Sequence, residues 1–213
     1  MLTDKQIAKR LFEIEALQFS PDEPFKWASG ILSPVYCDNR LVMSDVSLRK
    51  EIAQSLAEHI QVKYPDVEVI AGCATAGIPH AAWVADILEL PMIYVRDKAK
   101  GHGKGNRIEG EVKRGQKAVV IEDLISTGKS SIASAQALQE AGVVVVGVQA
   151  LFSYELKKAE QAFKEASLEY HSLTTFPLLL ELMKEQDKIS LESYSRLKEW
   201  NQDPGAFSYN YQA

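Results

Sequence analysis

Residues 118–131, AVVIEDLISTGKSS, restrict the architecture of this chain more than any other stretch. Ala118 to Ile121 is a short apolar, β-branched run of the kind that forms a central parallel strand. Ser126, Thr127 and Gly128 bring turn and capping chemistry. SSIASAQALQEAG then continues as a helix with Ile132, Ala135 and Leu138 on one stripe and Gly142 closing it. A hydroxyl- and glycine-rich turn that opens a helix offers an anion free backbone N–H groups and the positive end of the helix dipole. Gly128-Lys129-Ser130 are the closing letters of an ATP-binding P-loop, but that motif needs a glycine where Asp123 stands beside Glu122. Two carboxylates do not suit the mouth of a polyphosphate cradle. They suit ribose hydroxyls, which donate hydrogen bonds, or a hard cation such as Mg2+. The segment describes a site for a sugar diol next to a single phosphate.

The rest of the chain supplies the alternation that such a strand needs. Thr3 with Gln6 forms a capping box for a first helix reaching about Leu17. FKWASGILSPVYCDNR, residues 25–40, reads as a hairpin or a pair of short strands. Residues 44–64 are helical, with Ile52, Leu56 and Ile60 on one face and Pro65 as the stop. A strand VEVIAGC, a loop at 74–77, a helix through PHAAWVADILEL and a strand PMIYV follow. Beyond the opening motif come a strand VVVVGVQALF, a helix from Glu155, a short strand near Tyr170 and helical C-terminal segments. This pattern predicts an α/β fold: a mostly parallel sheet with helices on both faces. We divide its single domain of 213 residues into a hood of about 1–43, a core of about 44–175 and a C-terminal helical segment of about 176–213. A net charge of −5 argues against nucleic acid as the main partner. The run VVVVGVQALF is too short for a membrane span, and the acid-containing N-terminus does not read as a signal peptide. Cys37 and Cys73 match no metal spacing and read as reduced, structural thiols of a cytoplasmic protein.

One connection is too long for such a domain. Residues 96–116, RDKAKGHGKGNRIEGEVKRGQ, separate two predicted strands, and loops of this length are usually functional or disordered. Arg96, Lys98, Lys100, Lys104 and Arg107 outweigh the early acid Asp97, while Gly101, Gly103, Gly105 and Gly110 loosen the chain. A solvated charge run is the plain alternative. Position favours a mobile cationic flap, because loops at the carboxyl ends of parallel strands frame the ligand crevice. Lys100 and His102 are its chemically interesting members, and the flap implies a substrate with more anionic charge than one phosphate.

Together these stretches resemble the type I phosphoribosyltransferases. VVIEDLISTGKS is similar to their motif for phosphoribosyl pyrophosphate (PRPP), and RDKAKGHG resembles the catalytic loop of the orotate phosphoribosyltransferases. FKWASGILSPVYCDNR is similar to the N-terminal hairpin of those enzymes, and GCATAGIPHA to their pyrophosphate-contacting second loop. The resemblance spans roughly residues 25–152 and implies a type I phosphoribosyltransferase fold with a hood and a mobile catalytic loop. It implies transfer of ribose 5-phosphate from PRPP to orotate with inversion at the anomeric carbon, giving orotidine 5′-monophosphate and pyrophosphate. Mg2+ would be bound mainly through PRPP, with no certain direct protein ligand. Residue by residue, Arg96, Lys100 and His102 match positions that hold pyrophosphate, and Glu122 and Asp123 match the acids on the ribose hydroxyls. Leu124, Ile125, Ser126, Thr127, Gly128, Lys129 and Ser130 complete the PRPP motif, and Ser126 also matches a position that reaches orotate. The catalytic set implied is Arg96, Lys100, His102 and Asp123. Family members are homodimers whose catalytic loop crosses into the neighbouring site.

Several positions depart from the enterobacterial pattern. Ala28 and Ala76 stand where lysines are expected, Tyr36 and Cys37 replace an aromatic pair over the base, and Tyr154 replaces the orotate-binding arginine. The orotate carboxylate is left with Arg40, Lys26 or backbone amides near Tyr36 as candidate partners. A purine phosphoribosyltransferase would lack the hairpin and the KGHG loop. A PRPP-sensing transcription regulator would need a basic DNA-binding module that the first 60 residues do not show.

Overall fold

The computed structural model describes residues 2–20, 23–26, 32–98 and 107–207. The chain opens with helix α1 (Asp4–Glu13), then strands β1 (Leu17–Phe19), β2 (Phe25–Lys26), β3 (Leu32–Ser33) and β4 (Val35–Cys37), and a 3-10 helix (Asn39–Ser44). Next come α2 (Val46–Lys63), β5 (Val69–Cys73), α3 (Gly77–Leu88), β6 (Met92–Val95), β7 (Ile108–Glu109), β8 (Lys117–Ile125) and α4 (Lys129–Glu140). The last elements are β9 (Val144–Ser153), α5 (Lys157–Glu165), β10 (Tyr170–Thr175), α6 (Phe176–Glu185) and α7 (Leu191–Gln202).

Six strands form the central sheet in the order β10-β9-β8-β5-β6-β7, all parallel except the short edge strand β7. Side chains of a strand alternate between faces, and β8 shows the result. Val119 and Ile121 enter one apolar cluster with α1, α2, α3, α6 and α7, while Ala118 and Val120 enter a second with α4 and α5. Helices therefore cover both faces. The first cluster joins Ile7 and Leu11, Val35, Ile52 and Leu56, and Phe176, Leu197 and Trp200, so hood, core and C-terminal helices share apolar packing. Each fully buried Leu or Ile of this set contributes roughly 1.5–3 kcal/mol.

Several boundaries differ from the sequence reading. Helix α1 ends at Glu13 instead of near Leu17, because Glu15 adopts φ 58° and Leu17–Phe19 pairs with Val35–Cys37. The hairpin of residues 25–40 divides: β2 pairs with β3, while β4 leaves to pair with β1. The long connection is shortened by β7, which returns antiparallel along β6. Strand β8 runs through Ile125, placing Glu122 and Asp123 inside its last turn of pleat, not beyond it.

Candidate active site

Strand β5 is the first of the sheet; the chain then goes to β6 on one side and later to β8 on the other. The reversal lies between β5 and β8, and in open parallel sheets ligands bind outside the carboxyl ends at such a point. The loop at 74–77 and the turn at 126–128 leave those two ends. Helix α3 starts hard against β8: a Cβ on Gly77 would lie 2.4 Å from the Ile121 carbonyl oxygen. Side chains of Thr3, Asp45, Thr175 and Ser190 cap α1, α2, α6 and α7, while none caps α3, α4 or α5. Of the uncapped helices, α3 and α4 follow the neighbouring strands β5 and β8 and present first-turn N–H groups and positive dipole ends at their carboxyl ends. Gly128 makes the turn into α4 with φ 75°, and a Cβ there would lie 2.6 Å from Phe163 Cε2. Only glycine meets both demands.

The acid pair closes the strand beside this turn. Glu122 is buried; its Oε2 accepts from Ser131 Oγ at 3.3 Å and its Oε1 from the Asp123 N–H at 3.1 Å. Behind it Ser134 Oγ bonds Cys73 Sγ at 3.2 Å. Burial, then the charge of Asp123, pushes the Glu122 carboxyl well above its ordinary range, and burial also raises Asp123. Hydroxyl donors or a cation would stabilise the charged form of both. A sugar diol supplies donors of that kind. Ser126 and Thr127 are half-buried in the turn, and Lys129 and Ser130 are exposed at the start of α4. Leu124 packs against the apolar cluster, and Ile125 accepts from the Tyr154 N–H at 2.9 Å.

The hood brings its residues to the same end of β8. Asn39 Nδ2 donates to the Asp123 backbone oxygen at 2.8 Å, across 84 residues of sequence. Tyr36, one strand earlier, is half-buried with its ring 5.6 Å from Phe25. Arg40 forks onto Asp38 at 2.6 and 2.7 Å and reaches Tyr36 Oη at 3.5 Å. The Asp38 carboxylate, then Tyr36 and Asp123, hold this exposed guanidinium charged. Lys26 is exposed at the end of β2, opposite Leu32. Tyr154 is 1% exposed and packed on Phe152, Phe176 and Trp200 with ring centroids 5.6–5.8 Å apart. This position is aromatic core. Ala76 takes the N-cap position of α3, and Ala28 lies outside the described residues.

At the root of the flap, Arg96 follows β6 and its Nη1 is 3.4 Å from Glu109 Oε1. Arg107 is a clasp, not a free flap cation: its Nε donates to the Arg96 carbonyl at 2.8 Å and its Nη1 to the Ala133 carbonyl at 3.2 Å. Lys100, His102 and Lys104 lie outside the described residues. Cys37 and Cys73 are free and buried, in keeping with the reading of both as thiols. The sequence reading passed over Asn39 and Ser131. Asn39 follows Asp38 in a turn-prone CDNR stretch, which signals a turn and not its distant partner.

Residues 47–175 match the phosphoribosyl transferase domain. Over 204 residues the chain is 52% identical to the orotate phosphoribosyltransferase of Listeria monocytogenes serotype 4b, covering 96% of this chain and 98% of that one. Identity to the Enterococcus faecalis OG1RF enzyme of the same name is 54% over 200 residues, 94% of this chain and 95% of that one. Among solved structures, the orotate phosphoribosyltransferase of Aeropyrum pernix superposes with TM-score 0.75 at 29% identity, over 84% of this chain and 98% of that one. The UMP synthase of Leishmania donovani gives TM-score 0.79 at 25% identity, over 93% of this chain but 42% of that longer one. With about half of its residues identical to these enzymes over nearly the whole length, and the phosphoribosyl transferase domain across residues 47–175, the chain belongs to the orotate phosphoribosyltransferase family.

Proposed function

We propose that this protein transfers ribose 5-phosphate from PRPP to orotate, in de novo pyrimidine synthesis. The observation that carries the reading is the pair Glu122–Asp123 followed at once by the uncapped, Gly128-turned start of α4. The turn from Ser126 to Ser130 takes the 5′-phosphate on backbone N–H groups and hydroxyls. The two carboxylates accept from the ribose hydroxyls, and their charge favours the sugar as it becomes oxocarbenium-like. Arg96, Lys100 and His102 hold the departing pyrophosphate, where charge develops in the transition state. Attack by the base from the opposite face inverts the anomeric carbon, and no protein nucleophile is required.

Mg2+ suits this site as a companion of PRPP. The acid pair offers carboxylate oxygens, while among the described residues no group of three or more His, Cys, Asp or Glu could hold a metal. The ion would neutralise the pyrophosphate charge. For the orotate carboxylate the candidate partners are Arg40, Lys26 and the amides near Tyr36, since Tyr154 stands where the family's arginine is expected and is packed in the aromatic core. We further propose a homodimer whose flap serves the partner's cradle, working in the cytoplasm. Among the described residues no helix is long and apolar enough to cross a membrane.

The test is a base-dependence assay with purified protein, PRPP and Mg2+. Orotate absorbance should fall with time, while uracil and adenine should persist. Stable orotate absorbance under these conditions overturns the proposal.

A further inference from the structure

Asn39 stands where the two halves of the site meet. It is 1% exposed, at the start of the 3-10 helix that follows β4. Its Nδ2 donates to the Asp123 carbonyl at 2.8 Å, and its Oδ1 accepts from Cys37 Sγ at 3.2 Å. The amide's direction is forced. A carbonyl can only accept, so the nitrogen must face Asp123, which leaves Oδ1 for the thiol. Burial, then the charges of Asp123 and Asp38, keeps Cys37 protonated and therefore a donor.

The bond also answers a gap in the sheet. Pairing of β8 with β5 ends at Gly72 and Ile121, whereas β8 continues to Ile125. Among the described residues β5 does not accompany β8 past Ile121, and a backbone carbonyl withdrawn from water without a partner is unfavourable. Asn39 takes the place of the missing strand at the residue whose side chain is half of the acid pair. The same residue continues directly from β4, which carries Tyr36.

We propose that Asn39 is a positioning residue for the transfer reaction: it sets the spacing between the base-side strand β4 and the acid pair by holding the Asp123 backbone, and Cys37 orients its amide. This rests on the reading of Glu122 and Asp123 as the ribose site and of the Tyr36 strand as the base side. Transfer requires the base nitrogen and the anomeric carbon to meet in a near-attack arrangement, where a displacement of about 1 Å costs about a hundredfold in rate. Asn39 touches neither reacting atom; it acts through the backbone of Asp123.

The test uses the full chain. Asn39→Leu keeps similar volume but removes donor and acceptor. Calorimetric titration with PRPP and Mg2+ counts competent sites, so turnover is expressed per PRPP site and is insensitive to any unfolded fraction. The expected result is an unchanged PRPP stoichiometry, a turnover per site lowered about ten- to hundredfold, and a raised orotate KM. Wild-type turnover per site with an unmoved orotate KM overturns the proposal. Cys37 gives a second arm that survives poor folding of the first variant. Cys37→Ser keeps a donor toward Asn39 and should retain several times the per-site turnover of Cys37→Ala. A packing role alone favours the apolar alanine, so equal turnover, or the reverse order, also overturns it. Asp123→Asn tests the underlying reading separately. It should weaken PRPP binding, and unchanged PRPP affinity there would remove the ribose assignment whatever the Asn39 and Cys37 variants show.

Discussion

Replacing Gly128 by alanine should damage stability and PRPP binding together, and the size of the effect follows from two independent terms. The first is backbone strain. At φ 75° the residue is left-handed, and a side chain there costs roughly 1–2 kcal/mol. The second is overpacking. The new Cβ would lie 2.6 Å from Phe163 Cε2 and 3.0 Å from Cδ2. Phe163 cannot retreat easily, being 2% exposed and stacked on Tyr170 at a centroid distance of 4.3 Å. Forcing a group into a filled core of this kind costs about 1–3 kcal/mol. Together the two terms predict a loss of about 2–5 kcal/mol, which for a chain of this length lowers the melting temperature by roughly 4–20 °C. Urea unfolding and PRPP calorimetry provide the assays. A double-mutant cycle separates the terms: in a Phe163→Leu background the ring edge is gone, so Gly128→Ala should cost only the backbone part, about 1–2 kcal/mol. An equal cost in both backgrounds would refute the steric argument, and a melting temperature within about 2 °C of wild type would refute both.

Arg40→Ala should raise the orotate KM about tenfold, as loss of one charge-assisted contact does, while the melting temperature stays put because its pairing with Asp38 is exposed; an unmoved KM makes Arg40 a surface ion pair only. His80, buried and held down to about pKa 4 by desolvation, resists a proton that the unfolded chain accepts near 6.5. Stability should therefore fall as pH drops from about 6.5 toward 4, by about 3 kcal/mol from this group, and His80→Leu should flatten that limb in urea titrations; parallel acid limbs would sink the assignment. If the flap serves the partner's cradle, Lys100→Ala and Asp123→Ala chains refolded as a mixture should regain about a quarter of wild-type activity, since half the dimers are hybrids with one intact site. Hybrids that form but stay inactive would refute the shared site.

Local chemistry made much of this protein legible from its residues in order. The run from Ala118 to Gly142 declared strand, acid pair, turn and helix because each depends on neighbours in sequence: β-branched packing, a left-handed glycine and a helix stop, with Gly128 and Gly142 at φ 75° and 85°. The capping box of Thr3 and Gln6 is likewise local, and both of its bonds form. Tertiary structure decided what joins distant segments. Nothing near Tyr154 in the chain announces that Phe176 and Trp200 will close around it, so the site of the family's arginine could be seen as replaced but not as core. Arg107 read as one more flap charge until the return of β7 along β6 put the Arg96 carbonyl under its guanidinium. The bond from Asn39 to Asp123 crosses 84 residues, and its meaning depends on β5 ceasing to pair at Ile121. Propensity and periodicity report on a residue's own turn or strand; which carbonyl a sheet leaves without a partner is known only once the strands have been laid side by side.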